Sequence, residues 1–357
     1  MNYSKKPKVL YIFAGERRRV EELWKKGEGP DTSLIGFNYL KDFGIDAEYI
    51  ETSLMNRLRK INYNLANLSL IFKIRQYDVL FSGSSLFLPF VSKVLFHFKK
   101  PKFVWYNTFF TNALKRNQKG LKSWAIRKAI GSLDAIVCPT KRQKEFLIKE
   151  GFDEKKIFCI PTSVDADFIE KKQNNTEPSA KKYILSVGKD NGRDYKTLIE
   201  AMRGLDEVNL IIVALPRNLK GINDIPSNVT IRYNVPFNEL VGIYKNAKFI
   251  IITTKKEDHT DASDCSGHYV LLDSMVSGKA IIVSDRSTLR EYFENGSDGI
   301  MVPPEDVVAL RNAIKELYEN PERQAQMGAR AKNKIQEGFT TRKMAESLSD
   351  LFKNMLK

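Results

Sequence analysis

Short, largely apolar runs punctuate this chain, and between many of them apolar residues recur at helical spacing. In the first half the runs are Val9–Ala14, Ala47–Ile50, Val79–Phe81, Phe103–Tyr106, Ala135–Cys138 and Ile157–Ile160. In the second they are Tyr183–Val187, Asn209–Val213, Val229–Tyr233, Phe249–Thr253, Ala280–Val283 and Gly299–Val302. A run that is apolar at every position reads as a strand covered on both faces, and strands alternating with helices build parallel, doubly wound sheets. Two such sets predict an α/β protein of two Rossmann-like domains. The polar, aperiodic stretch IEKKQNNTEPSAKKY, from Ile169 to Tyr183, reads as the joint. The expected layout is residues 1–168 as the first domain, 169–182 as a linker, 183–340 as the second domain and 341–357 as a terminal helix packed back on the first.

Two segments of the first half carry helical apolar stripes edged with cations. Leu54, Leu58, Ile61, Leu65, Leu68 and Phe72 recur at three- and four-residue steps among Arg57, Arg59, Lys60, Lys73 and Arg75. Leu121, Trp124 and Ile130 lie among Lys115, Arg116, Lys119, Lys122, Arg127 and Lys128. Both stripes are expected to face the domain core, leaving the basic faces to solvent or an anion. The apolar stretch from Val79 to Phe98 approaches membrane-span length, but Gly83, Ser84, Ser85, Pro89 and Lys93 interrupt it, so no transmembrane helix is expected. The Val9–Ala14 run is too short for a signal peptide.

Charge sharpens the contrast between the halves. The 357 residues are 42% hydrophobic and 28% charged, with a net charge of +15. Residues 1–172 hold 32 basic and 18 acidic side chains, and the remainder 26 and 25. Residues 52–149 alone hold 19 basic and 3 acidic ones, which points to an anionic partner. No nucleic-acid motif accompanies that charge. Three irregularly spaced cysteines, Cys138, Cys159 and Cys265, fit a reducing, cytoplasmic compartment better than a disulfide framework.

Candidate chemistry gathers in the second half. In CSGHYVLLDSMVSGKAIIVSD, a helix opening near Gly267 or His268 offers backbone N–H groups and a positive dipole end to a phosphate or diphosphate. Asp273 lies inside that apolar helix, where aspartate is unfavourable, so a ligand such as a ribose is expected to use it; a satisfied buried Asp is the plain alternative. In ILSVGKDNGRDYKTLIEAM, a strand leads into a loop with Lys189 and Arg193, and two cations at the carboxyl end of a parallel strand suit a diphosphate.

These segments resemble the family-4 type of GT-B glycosyltransferases. SVGKDNGRDYKTLIEAM resembles that family's Val-Gly-Arg … Lys-Gly … Leu-Ile-Glu-Ala segment, and GHYVLLDSMVSGKAIIVSD its Gly-x-x-x-x-Glu-Ala-Met-Ala-x-Gly-x-Pro-Val-Ile. The closing stretch from Glu291 to Thr340 and the segment from Leu133 to Asp165 are also similar. The resemblance is strong over residues 130–350 and weak before them. It implies two Rossmann-like domains with a cleft between them and sugar transfer from a nucleoside-diphosphate sugar, with retention and without metal or other cofactor. By the same resemblance Lys189 and Arg193 clamp the diphosphate, Ser266, Gly267, His268 and Tyr269 form the turn facing diphosphate and sugar, and Asp273 holds the ribose.

Two positions depart from the family pattern. Cys265 stands where the family has a first Glu, with Asp261 or Asp264 as candidates to compensate, and Asn107 stands near the reacting centre where the family has a His. In GEGPDTSLIGF, Gly29 is the candidate acceptor-side residue. The cluster DHTDASDCSGH lacks zinc spacing, VDADF reads as a structural turn, and His97 as packing. The expected acceptor is lipid-linked or a polysaccharide precursor, met by a cytoplasmic protein peripheral to the inner membrane face. The alternatives are an inactive sugar-nucleotide-binding partner subunit and a sugar-nucleotide epimerase.

Overall fold

Twelve parallel strands divide between two six-stranded sheets in the computed structural model, which describes residues 6–179, 182–257, 259 and 265–357. The chain forms two compact units. One comprises residues 1–26, 31–162 and 341–357, and the other residues 27–30 and 163–340.

In the first unit the strands are β1 (Lys8–Ile12), β2 (Asp46–Tyr49), β3 (Val79–Ser82), β4 (Lys102–Tyr106), β5 (Ala135–Cys138) and β6 (Ile157–Cys159), in the order β2-β1-β3-β4-β5-β6. Alternate residues feed opposite faces. Leu10, Leu80, Phe103 and Ile136 enter one core; Val9, Tyr11, Phe81 and Val104 enter the other. The C-terminal helix Thr341–Asn354 supplies Met344, Ala345, Leu348, Leu351 and Phe352 to that second core, a helical stripe on one face. Gly36, at φ +73°, lets this helix approach: a Cβ there would stand 3.0 Å from the Ala345 backbone.

The second unit contains β7 (Tyr183–Val187), β8 (Leu210–Ala214), β9 (Val229–Tyr233), β10 (Ala247–Ile252), β11 (Ile281–Ser284) and β12 (Gly299–Val302), in the order β12-β11-β10-β7-β8-β9. The chain therefore winds outward from β7 in one direction, then returns to β10 and winds in the other. Loops leaving β7 and β10 diverge, and such a reversal is where open α/β sheets bind ligands.

Two stretches differ from the sequence-based expectation. Residues 169–174, expected to be linker, belong to a helix, Ala166–Asn174. Asp165 caps its start, its carboxylate accepting from Phe168 N at 3.0 Å. Lys245 Nζ closes its end from outside by donating to the carbonyls of Gln173 (2.7 Å) and Thr176 (2.6 Å). Phe168 and Ile169 are core residues, so burial on one side holds a segment whose composition reads as irregular.

The second difference is the stripe from Leu54 to Phe72, of which only part faces the core, Leu68 packing against it. Its helix breaks at Asn62, whose backbone is extended (φ −156°, ψ 121°) and whose side chain caps the next helix by accepting from Asn64 N at 2.8 Å. The three-and-four spacing thus runs over Ser53–Ile61 and Tyr63–Leu68, two helices whose faces do not align. Met55, Ala66 and Leu70 turn inward, while Leu54, Ile61, Leu65 and Phe72 are exposed. In the helix Gly120–Gly131, Ile130 is buried as expected but Leu121 and Trp124 are exposed.

Candidate active site

Strand β7 ends at Val187, and the loop Gly188–Asp194 carries the chain into the helix Tyr195–Met202. Asp194 caps that helix by accepting from Thr197 N at 3.0 Å. Tyr195 Oη donates to the Gly188 carbonyl at 2.9 Å, and burial raises this phenol to about 12, so it remains a donor. The loop is also tied to the segment beyond β10: Asp194 N donates to Thr253 O (3.2 Å) and Lys255 N to Gly192 O (2.8 Å). From the β8 side, Arg217 Nη2 donates to Lys189 O (2.9 Å) and Asn218 Nδ2 to Asp190 O (2.9 Å). Sequence reasoning missed this brace, although Pro-Arg-Asn directly after a strand was its signal.

So fixed, the loop lays Arg193 across Gly188. A Cβ on Gly188 would lie 1.9 Å from Arg193 Nε, so glycine is required here for room. Arg193 is only 4% exposed. Its Nε stands 3.1 Å from an Asp190 carboxylate oxygen as an ion pair, yet none of its three nitrogens makes a hydrogen bond among the described residues. A buried guanidinium with unused donors is costly unless a ligand completes it.

The helix His268–Val276 opens beside it. Its first cap, Gly267, has φ +89°, and glycine brings no side chain of its own to the helix end. A Cβ on Gly267 would come within 3.9 Å of Arg193 Nη1, and one on Gly192 within 2.5 Å of Ser266 Oγ. Three glycines thus clear one space where the Arg193 guanidinium and a positive helix end converge at the reversal between β7 and β10. Backbone donors, dipole and fork-shaped cation together suit a diphosphate.

Asp273 lies five residues into the same helix and is half-buried. Its carboxylate has no hydrogen bond or ion pair among the described residues, whereas Ser274 and Ser277 beside it bond back to the carbonyls of Val270 and Asp273. Burial raises the Asp273 carboxyl to about 7. The phenol of buried Tyr244 is pushed well up, by burial first and then by the Asp273 charge, while Arg193 opposes the shift.

Other expected residues fall differently. Lys189 is exposed and Ser266 buried. His268 points inward: it is fully buried, its ring 4.9 Å from that of Tyr292, and burial first and Arg286 second push it down to about 3. It is therefore neutral, and neither ring nitrogen makes a hydrogen bond among the described residues. Tyr269 is exposed and Cys265 is a half-buried thiol outside any disulfide. Asp258, Asp261 and Asp264 lie outside the described residues. Gly29 is buried, and residues 27–30 group with the second unit.

The structure does not present Asn107 to a substrate. It is 0% exposed; its Oδ1 accepts from Phe110 N (2.9 Å) and its Nδ2 faces Cys138 Sγ at 3.7 Å. It is a helix-capping side chain consumed inside the first unit. At that unit's own strand reversal, between β1 and β3, a hydroxyl-rich turn stands instead. Ser82 Oγ and Ser84 Oγ are 2.8 Å apart, Ser85 bonds Asn64, and Thr108 Oγ1 donates to Gly83 O at 3.2 Å. The strand-to-turn sequence FSGSS was the available signal for it.

The fold is thus one of two Rossmann-like units, the second of which brings a buried guanidinium and a helix N-terminus together at its strand reversal. The model of the family Glycosyl transferases group 1 matches residues 167–334, and that of Glycosyltransferase Family 4 matches residues 29–168. The chain belongs to the group 1 glycosyltransferases of GT-B fold and is a glycosyltransferase. It is 24% identical over 311 residues to an uncharacterized glycosyltransferase of Methanocaldococcus jannaschii, covering 80% of this chain and 77% of that protein. Among solved structures it is similar to a sucrose-phosphate synthase from Thermosynechococcus elongatus (TM-score 0.73, 16% identity, 99% of each chain). It is also similar to HepE of Anabaena in complex with UDP and glucose (TM-score 0.67, 13% identity, 98% of this chain and 100% of that one).

Proposed function

We propose that the enzyme transfers a sugar, with retention, from a nucleoside-diphosphate sugar to a lipid-linked or polysaccharide-precursor acceptor at the cytoplasmic face of a membrane. The observation that carries this reading is the buried Arg193 guanidinium, its donors unused among the described residues, beside the opening of the His268–Val276 helix. The relative crystallised with UDP and glucose supports the same class of donor. Arg193, with Lys189 at the rim, neutralises the diphosphate as the bond to the anomeric carbon breaks. The Ser266–Tyr269 turn cradles the diphosphate through its backbone, and Asp273 accepts from the ribose hydroxyls. The acceptor hydroxyl attacks from the face the diphosphate leaves. Because Asn107 is a buried cap and carries no mobile proton, the acceptor proton passes to the departing phosphate oxygen. The hydroxyl turn Ser82–Ser85 suits an acceptor rich in hydroxyls. No step calls for a metal, so activity is expected to survive chelation.

A thermal-shift screen over nucleoside diphosphates identifies the base, and donor hydrolysis then separates a transferase from an inactive sugar-nucleotide binder. NMR of the product reads the anomeric configuration. An inverted product would end the retaining mechanism, and the absence of any diphosphate-dependent shift would remove the donor site.

A further inference from the structure

We infer that one face of the first unit docks on an anionic lipid bilayer. Its parts are the helices Ser53–Ile61 and Tyr63–Leu68, the Phe87–Leu95 segment and the helix Gly120–Gly131. The inference deepens the lipid-linked acceptor proposed above and rests on that reading for its purpose, while its physical argument is separate.

Of the exposed large hydrophobic residues among those described, most lie between Leu54 and Trp124. Ile61 is 79% exposed, Phe72 81% and Leu121 81%, values at which apolar side chains meet water almost completely. The elements that carry them adjoin one another. Phe90 meets Trp124 edge-on at 6.0 Å, Ser85 bonds Asn64, and Phe96 stacks on Phe98, over which Arg75 stands at 5.2 Å.

Charge selects the occupant. Arg57, Lys60, Lys73, Lys119, Lys122 and Lys128 are exposed and make no ion pair among the described residues. The acids of this region are already engaged: Asp134 pairs with Lys93 (2.7 Å) and Lys102 (3.4 Å), and Asp78 accepts from Lys8 N (2.9 Å). The core of a protein interface is depleted in lysine, and bases stack on aromatic rings, not on isoleucine or leucine. Aliphatic and aromatic anchors ringed by free lysines match the acyl boundary and phosphates of a bilayer. No helix among the described residues is long and apolar enough to cross a membrane, so the attachment is peripheral. The same face borders the Ser82–Ser85 turn through the Ser85–Asn64 bond, where a lipid-borne acceptor would arrive.

The test is flotation of the full chain with phosphatidylcholine vesicles, with and without phosphatidylglycerol, at low and high salt. Binding is expected only to the anionic vesicles at low salt, and to fall at least about tenfold in Lys119→Gln/Lys122→Gln/Lys128→Gln and in Ile61→Ser/Phe72→Ser/Leu121→Ser. Both triple variants should keep parental melting temperature and nucleotide affinity, which shows that the surface and not the fold was altered. Equal binding to neutral vesicles, no binding to either, or parental binding by both variants overturns the inference. So does light scattering that shows the parent to be a dimer which the serine variant dissolves. Vesicle failure with intact donor hydrolysis sinks the surface alone; vesicle binding without donor turnover sinks the transferase mechanism alone.

Discussion

The two units solve the same folding problem and then spend their surfaces in opposite ways. Each buries a six-stranded parallel sheet between two apolar layers. At the strand reversal of the second unit sit a buried arginine, three glycines and the N-terminal end of a helix. At that of the first sits a turn of hydroxyls, and its flank is greasy and cationic. The difference shows that the sheet sets only where a ligand can bind. Side chains beyond the strand ends decide which ligand, as expected when function is grafted onto a common scaffold.

The largest effect should come from cutting the first unit's dependence on the chain's end. Phe352 is fully buried against Phe81, with ring centroids 5.8 Å apart. Phe352→Ala is expected to cost about 3–5 kcal/mol of that unit's stability, leaving nucleotide affinity in the second unchanged. Chemical denaturation followed with and without nucleoside diphosphate checks this. A parallel loss of affinity would show that the units are not separable.

Next in size is the clamp. Arg193→Ala is expected to weaken nucleoside-diphosphate binding by about 1.5–3 kcal/mol, the range for hydrogen bonds to a charged group. Gly188→Ala should do at least as much, because its Cβ would occupy the place of Arg193 Nε. Calorimetric titration with unchanged affinity in either variant would take the loop out of the site.

Much of this was legible before any coordinates. The central strands were readable because they are buried on both faces, which leaves a run of consecutive apolar residues such as Phe249–Ile252, whereas outer strands such as Asp46–Tyr49 and Val229–Tyr233 are partly exposed and mix polar residues in. Arg193 and Asp273 stood out because a cation after a strand and an acid inside an apolar helix need a reason. What the sequence hid were relations between distant residues. Gly188 looks like a turn glycine but clears room for a side chain five positions on. His268 looks like a ligand but faces inward to Tyr292. The Ala166–Asn174 helix looks like a linker because the lysine that closes it, Lys245, lies far along the chain. The Leu54–Phe72 stripe has faultless helical spacing, yet the helix breaks at the extended Asn62, and Leu54, Ile61, Leu65 and Phe72 lie exposed on both sides of the break.

Asp273 gives a smaller effect with a definite sign. Burial raises its carboxyl from the ordinary 3.8 to about 7 in the folded state. The native state therefore holds a proton that the unfolded chain has released. Stability contributed by the protonated form is present below the unfolded value and declines as pH rises toward 7. The ribose, by contrast, needs the ionised form. Donor affinity is expected to rise between about pH 6 and 8, and Asp273→Asn should flatten that rise while raising ligand-free stability at the alkaline end. Titrations and melting curves across this range check both. A parental slope retained by Asp273→Asn would assign the proton to another group.

The smallest effect is expected at Phe72, set against an inward apolar residue of the same segment. Met55 and Phe72 both belong to the region around the break at Asn62, but Met55 is 1% exposed and Phe72 81%. Met55→Ala removes packed methylenes and should cost about 2–5 kcal/mol. Phe72→Ser removes a ring that the folded state leaves in water, so its stability should stay within about 0.5 kcal/mol of the parent. Urea denaturation of the two variants measures the difference at equal m-value. A loss of several kcal/mol in Phe72→Ser would mean that the ring is covered in solution, and the outward stripe would then be part of the core. Near-neutrality would leave Phe72 exposed on the free protein, where burial against a partner surface, not folding, is what an aromatic ring at that position can still gain.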